Sequence, residues 1–341
     1  MLEKRISRKQ FLKLGTATVA AGAFAPFSGF VDILEGAEKK VSPFRFVVVG
    51  DTHLYDIPNH RFDLTFKRAV EEIKKMKPKP DFVIFLGDLA QFGKKTELEK
   101  GYKFLKEMGI DYKIIPGEHD WYLDMGTTWK NMFGNPYWHF EHKGVHFIGM
   151  NSILVRDYWT ARQMSPEERM NAIAELECHI CGLWGVREEQ LEWLKKEVKN
   201  LEPNTPIVLI THSPLWDYYP RWNFQTEDAP EIRKIMSKFE KVISIHGHVH
   251  QIVYNEFDNF VSLGNLATSW PWPYPPVKLP YPEIRMFRGD PGDKFDVVGY
   301  MNVNIDKSFL GELVGSKIKA VAKYSEWATF LPDKVKKGIE L

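Results

Sequence analysis

The stretch Arg45-Phe46-Val47-Val48-Val49-Gly50-Asp51-Thr52-His53 decides the reading of this chain. A β-branched apolar run stops at a glycine, and an Asp-x-His follows at once. A short apolar run bounded in this way predicts a buried strand. The same pattern recurs downstream. Phe82–Leu86 ends at Gly87-Asp88, and Tyr112–Ile115 runs into Pro116-Gly117-Glu118-His119-Asp120. Ile207–Thr211 leads to His212-Ser213-Pro214, and Val242–Ile245 to His246-Gly247-His248-Val249-His250.

Helical patterns separate these strands. Phe62, Phe66, Ala69, Val70 and Ile73 share one helical face within Phe62–Met76, and Pro78 and Pro80 stop that helix. Glu97–Met108 reads as a second helix, closed by Gly109, and Glu188–Val198 and Pro230–Phe239 read as two more. Tyr137–Glu141 with Val145–Met150, and Ile252–Glu256 with Phe260–Leu263, read as hairpins. Phe295–Ile305 and Lys317–Tyr324 add strands, while Tyr158–Gly185 has weak strand signal and reads as an insertion over the site. Strand–helix alternation with added hairpins predicts an α/β protein with mixed sheets. No period suggests a repeat architecture. No linker interrupts 42–341, which reads as a single domain with an aromatic, Pro-rich extension from about residue 266.

The chain has 341 residues, with 46 Lys plus Arg against 45 Asp plus Glu, a formal charge of +1. That balance excludes a protein built to coat nucleic acid or an anionic membrane. Hydrophobic residues at 44% and charged residues at 27% are ordinary for a soluble globular protein. Two cysteines exclude a disulfide scaffold and a four-thiolate zinc site. They are Cys178 and Cys181, which in an exported protein could close a small disulfide.

The first residues read as an export signal. Lys4, Arg5, Arg8, Lys9 and Lys13 stand against Glu3, and Leu14–Val31 carries no charge. Ser7-Arg8-Lys9-Gln10-Phe11-Leu12-Lys13 resembles the twin-arginine signal, with Lys9 in the second arginine position. Residues 1–36 are therefore expected to direct the protein to the periplasm or the exterior, or to anchor it if they are not cleaved. The Ala/Gly/Thr-rich stretch is weakly apolar, so no stable membrane span is expected after export.

In open α/β sheets, ligands bind beyond the carboxyl ends of the strands. Here those ends carry Asp, Glu and His. Each pair alone is a weak signal, but five together are hard to assign to packing, because gathered carboxylates repel unless a cation neutralises them. Carboxylate and imidazole donors suit Mn, Fe and Zn. The set is large enough for two divalent ions sharing a carboxylate, an arrangement that activates a bridging hydroxide for in-line displacement at phosphorus.

In order, Asp51-x-His53, Gly87-Asp88, Gly117-x-His119-Asp120, His212 and Gly247-His248-x-His250 resemble the calcineurin-like metallophosphoesterases, over roughly Arg45 to Asn265. The resemblance implies a four-layer α-β-β-α sandwich with two mixed sheets. It implies that Asp51, His53 and His250 hold one metal, that Asp88 bridges, and that His212 and His248 hold the second. His119 would face the phosphate and protonate the leaving oxygen, with Asp120 fixing its orientation. Glu118 stands where the family normally has a metal-binding Asn, and it is expected to ligate the second metal. Gln91 stands where many members have Asp and purple acid phosphatases have Tyr nearby, so the purple variant is not expected.

Weaker readings surround these. His60 and Arg61 fit either phosphate contact or a solvated helix start, and Asn151 fits a turn cap. Trp216, Tyr218, Tyr219 and Trp222 follow one motif, and Trp270, Trp272, Tyr274 and Tyr281 another. They could stack on a nucleobase or an apolar leaving group, or simply bury loops. Lys278, Arg285 and Arg288 could touch phosphate or be solvated. The leading expectation is metal-dependent hydrolysis of a small phosphodiester. A phosphomonoesterase or protein phosphatase of the same fold, and a non-catalytic binding protein, stay open. The sequence sets no oligomeric state.

Overall fold

The structure, a computed structural model, describes residues 42–174, 184–218, 224–272, 292–308, 317–325, 327 and 333–341. The expected export signal, the Cys178/Cys181 pair, Tyr219, Trp222, Tyr274, Lys278, Tyr281, Arg285 and Arg288 lie outside the described residues. Residues 41–341 form one compact unit.

In chain order the elements begin β1 (Phe44–Val49), α1 (Arg61–Lys75), β2 (Phe82–Phe85), α2 (Lys95–Glu107) and β3 (Tyr112–Ile114). The short helices α3 (Glu118–Trp121) and α4 (Thr127–Phe133) precede the hairpin β4 (Trp138–His142) and β5 (Val145–Gly149). Next come β6 (Leu154–Val155), α5 (Tyr158–Gln163), α6 (Pro166–Ile173), β7 (Trp184–Gly185), α7 (Arg187–Val198) and β8 (Ile207–Thr211). The rest are α8 (Ala229–Met236), β9 (Val242–His246), β10 (Val253–Phe257), β11 (Phe260–Gly264), β12 (Met301–Ser308), β13 (Lys317–Tyr324), α9 (Asp333–Lys337) and β14 (Ile339–Glu340).

Among the described residues the strands form two six-stranded sheets, ordered β14-β13-β12-β1-β2-β3 and β10-β11-β9-β8-β5-β4, and a small β6-β7 pair. Both large sheets are mixed. β1 runs parallel to β2 and antiparallel to β12; β8 runs parallel to β5 and β9, while β4 and β10 are antiparallel edges.

Side-chain alternation along β1 shows how the layers form. Phe46 and Val48 point between the sheets, into a core with Ile84, Phe147, Val208, Ile210, Leu263 and Val303. Val47 and Val49 point the other way and pack under Phe66, Ala69, Val70 and Ile73 of α1. On the second sheet, Ile148 and Leu209 pack under Leu191 and Leu194 of α7 and Ile232 and Met236 of α8. The result is the four-layer α-β-β-α sandwich. No helix among the described residues is long and apolar enough to cross a membrane.

Two segments differ from expectation. The strand expected from Phe295 starts only at Met301, because Asp296 closes a turn on Asp293 and Val297 takes a left-handed backbone (φ 54°). The stretch after Tyr158 forms α5 and α6, each capped, by Asp157 and by Ser165 respectively. Arg169 of α6 donates to the carbonyls of Tyr122 and Leu123, which fastens these helices to the end of α3.

Candidate metal centre

The loops leaving β1, β2, β3, β8 and β9 bring the expected donors into two groups. Asp51, His53 and His250 form one, and Asp88, Glu118, His212 and His248 the other, with the donor atoms of each within 4.8 Å of one another. All seven residues are buried. Asp88 lies between the groups: its Oδ2 is 3.5 Å from His53 Nε2 and 3.3 Å from His212 Nε2. The His248 N–H donates to Asp51 Oδ1 at 2.9 Å and so ties the groups together.

Second contacts aim the imidazoles. Nδ1 of His53 donates to Gln91 Oε1 (3.0 Å), Nδ1 of His212 to the Leu86 carbonyl (2.7 Å), and Nδ1 of His250 to the Trp270 carbonyl (2.8 Å). A ring that donates from Nδ1 keeps Nε2 as a lone pair, which is the tautomer a metal needs. These Nε2 atoms converge: His53 and His250 are 3.2 Å apart there. Glu118 reaches His248 Nδ1 with Oε1 (2.9 Å) and His212 Nε2 with Oε2 (2.8 Å). Yet Glu118 Oε2, His212 Nε2, Asp51 Oδ2 and Asp88 Oδ2 are buried and make no hydrogen bond of acceptable geometry. They are close to one another without pointing at one another. Orphaned polar atoms in a core cost roughly 1–3 kcal/mol each. Converging nitrogen and oxygen atoms of this kind fit a pair of divalent cations.

Aromatic rings seal the centre. Trp270 lies 4.2 Å from the His53 ring and 4.8 Å from that of His250, while Trp184 and Phe224 stand edge-on to His248 at 5.0 and 4.9 Å. Without a cation, the charges act on each other strongly. Burial pushes His212 down, but Asp88 and Glu118 outweigh it and hold it well above its ordinary range. Burial, with His119 and His250, holds His53 well below. Burial pushes Glu118 up, but His248 and His212 pull it well below. Cation binding therefore has to displace protons.

The backbone of the centre is unusual. Asp51, His53, Asp88, His248 and His250 all have positive φ, between 47° and 64°. Gly117 makes room for a carboxylate, since a Cβ there would stand 2.1 Å from Asp88 Oδ1, and Gly87 (φ 99°) lets two loops meet, since a Cβ there would stand 2.4 Å from the Gly117 nitrogen.

His119 is the partly exposed histidine of the five motifs. Its N–H donates to Asp88 Oδ1 at 3.0 Å, and its ring stands edge-on to His53 at 4.7 Å. A sequence model of the calcineurin-like phosphoesterases matches residues 44–252. The chain belongs to that family.

This phosphoesterase resembles a probable glycerophosphodiester phosphodiesterase, GpdQ, of Arcobacter nitrofigilis, with 24% identity over 214 residues, covering 60% of this chain and 71% of that protein. It is similar to a 3′,5′-cyclic-nucleotide phosphodiesterase, alr5338, of Nostoc, with 20% identity over 67% of this chain and 79% of that protein. A dimetal phosphatase structure from Danio rerio shares the fold, with TM-score 0.56 and 12% identity over 86% of this chain and all of that one. The phosphoesterase is thus a phosphoester hydrolase with a site suited to two divalent metals.

One orienting role needs correction. Asp120 was expected to hold the His119 ring. Its carboxylate instead accepts the backbone N–H groups of Ala90 (2.8 Å) and Gly117 (3.1 Å), and burial with Asp88 pushes it up to about 7. His119 Nδ1 bonds the main-chain oxygen of Gln91 at 2.7 Å. The sequence marked Gln91 only as a departure; the structure makes it the partner of both His53 and His119.

Other expectations resolve locally. His60 caps α1, its Nδ1 accepting from Phe62 N–H, and Asn151 caps a turn through Ile153 N–H. Trp216 packs on Phe257 and Phe260, and Tyr218 bonds Ser262, so both bury loops.

Proposed function

We propose that this phosphoesterase hydrolyses small phosphodiesters outside the cytoplasm, using Mn, Fe or Zn. The observation that carries the reading is the position of Asp88 Oδ2 between His53 and His212, with unpaired donor atoms on either side. Asp51, His53 and His250 would hold one ion, and Glu118, His212 and His248 the other, with Asp88 shared. The absence of thiolate among these donors favours Mn, Fe or Zn. A bound pair supplies charge for the phosphoryl oxygens and lowers the pKa of water enough to give a hydroxide nucleophile.

The chain's own residues do the rest. His119 donates from Nδ1 to the Gln91 carbonyl. Burial lowers its pKa, but Asp88 and Glu118 outweigh this and raise it, so in its imidazolium form Nε2 also carries a proton to give to the leaving oxygen. Asp120 acts as a positioning residue: it joins the loop of Gly117 to that of Ala90 and so fixes His119 relative to Asp88. The buried aromatic surround keeps the local dielectric low, which strengthens the interactions at the reacting phosphorus.

The diester preference rests on the names of the similar phosphodiesterases. Export rests on the basic and apolar N-terminal pattern, and the single catalytic domain on the unbroken reading of 42–341. The deciding experiment measures metal content and turnover of aryl phosphodiesters and monoesters by protein expressed with its N-terminus intact, and locates it by cell fractionation. Two metals per chain, diester turnover and recovery outside the cytoplasm are expected. Monoester turnover alone overturns the diester reading, and cytoplasmic recovery overturns export.

A further inference from the structure

Beside the centre an apolar wall faces solvent. Ile57 is 51% and Phe92 39% exposed, and Tyr55 stands edge-on to Phe92 at 5.6 Å. Rings lead from this wall back to the donors without a break. Tyr55 meets His60 (4.6 Å), His60 meets Phe62 (4.6 Å), Phe62 meets Trp270 (5.3 Å), and Trp270 covers His53. On its other side, Phe92 directly follows Gln91, whose carbonyl holds His119.

The wall is rigid. Glu97 of α2 is fully buried, and its carboxylate accepts N–H groups from Asp56 (3.3 Å), Phe92 (2.8 Å) and Lys94 (3.3 Å). One turn on, Lys100 donates to the carbonyls of Tyr55 (2.6 Å) and Ile57 (2.9 Å) and to Asp63. α2 thereby fastens the loop after β1 to the loop after β2. Apolar side chains on a slack loop could fold inward. Here the backbone is tied down; Ile57 and Phe92 stay in water and Tyr55 stays half-buried behind them, as at a binding surface. Arg61 over Phe62 (5.4 Å) and Lys94 over Phe92 (5.7 Å) add cations suited to an anionic ligand.

We infer that Tyr55, Ile57 and Phe92 form a subsite for a flat aromatic group, of nucleobase or aryl size, on the leaving-group side of the phosphodiester. The side follows from Phe92 being tethered through Gln91 to His119, the group that meets the leaving oxygen. The inference rests on the phosphodiesterase reading and adds which diesters the site favours. A small hydroxylated alcohol such as glycerol gains nothing from this wall.

The test compares metal-loaded full-length wild type, Phe92→Ala and Phe92→Tyr on bis(4-nitrophenyl) phosphate and on glycerophosphoethanolamine. Within each variant the ratio of kcat/KM for the two substrates is independent of the folded fraction. Phe92→Ala is expected to lower the aryl-to-glycerol ratio about tenfold, through KM, the size of one stacking contact. Phe92→Tyr, which keeps the ring, is expected to restore it. An unmoved ratio, with both diesters turned over by wild type, overturns the subsite. Wild type that cleaves 4-nitrophenyl phosphate and neither diester overturns the underlying phosphodiesterase reading instead.

Discussion

His119 gives its Nδ1 to the main-chain oxygen of Gln91 at 2.7 Å, so the atom left for chemistry is Nε2. No titratable side chain is needed to hold the ring; burial lowers its pKa, but Asp88 and Glu118 outweigh this and favour the doubly protonated ring that a proton donor needs. His119→Ala is expected to lower kcat by about 10²–10⁴-fold. The loss should be larger for an alkyl leaving group than for nitrophenol, because only the alkoxide needs the proton. Metal content should stay at the wild-type level. Retained activity on an alkyl ester would remove His119 from the mechanism.

Glu118 touches both histidines of its group and buries an orphaned oxygen. Glu118→Ala should cut bound metal from two ions per chain towards one, as counted by elemental analysis after dialysis. Glu118→Asn, which restores the oxygen donor usual in the family, should recover the second ion. Unchanged stoichiometry and activity in the alanine variant would mean that Glu118 is not a ligand.

In the absence of metal, Asp51, Asp88 and Glu118 crowd charge into one buried centre. Cations should therefore stabilise the fold, by about 2.7 kcal/mol at a hundredfold excess over Kd. Calorimetry should show Tm rising with added Mn or Zn and falling back with chelator. Asp88→Asn should lose most of that rise. A metal-dependent rise of wild-type size in this variant would exclude Asp88 as the shared donor.

Gly117 leaves no space beside Asp88, since an added Cβ would stand 2.1 Å from Oδ1. Gly117→Ala should displace that carboxylate and lower activity at least tenfold, with far-UV circular dichroism unchanged. Full activity would show that the centre tolerates a moved Asp88.

Asp81 offers a pH test away from the centre. Its carboxylate accepts from Lys143 Nζ (2.5 Å) and His142 Nε2 (2.9 Å). Burial pushes its pKa up, but Lys143 and His142 outweigh this and leave it lowered. A lowered carboxyl contributes stability above its unfolded pKa of about 3.9, and that contribution is lost as pH falls through the folded value. Asp81→Asn should thus cost about 1 kcal/mol at neutral pH, given the partial exposure of the pair. The gap to wild type should close below about pH 4. A gap that stays constant in acid, measured by urea melts, would deny the ion pair its role.

The donor residues were legible because residue type and position agreed: Asp, Glu and His fell where strands ended, as at Asp51 and His248. The contact of Gln91 with His119 was not legible, because it uses a main-chain oxygen that any residue carries. Asp120 misled for a related reason, since a carboxylate beside a histidine in sequence need not face it in space. Its partners are backbone N–H groups of Ala90 and Gly117. The helix α6 did carry a signal, the Ser165–Glu168 capping box with Pro166 inside it. The signal is faint because the helix is short and weakly amphipathic. The late start of β12 depended on the left-handed Val297, an unusual conformation for a β-branched residue.

The left-handed backbone at Asp51, His53, Asp88, His248 and His250 has an evolutionary side. Outside glycine, Asn, Asp and His enter that conformation most readily. Those positions therefore draw on an alphabet restricted twice, once by the cation and once by the main chain, and exchange among donors there is nearly closed. Glu118 begins an ordinary right-handed helix and faces only the first restriction. It is also the proposed ligand position where this sequence departs from the usual family residue. Diversification of metal preference in such enzymes has an open route at that helix, and attempts to retune the centre should begin there.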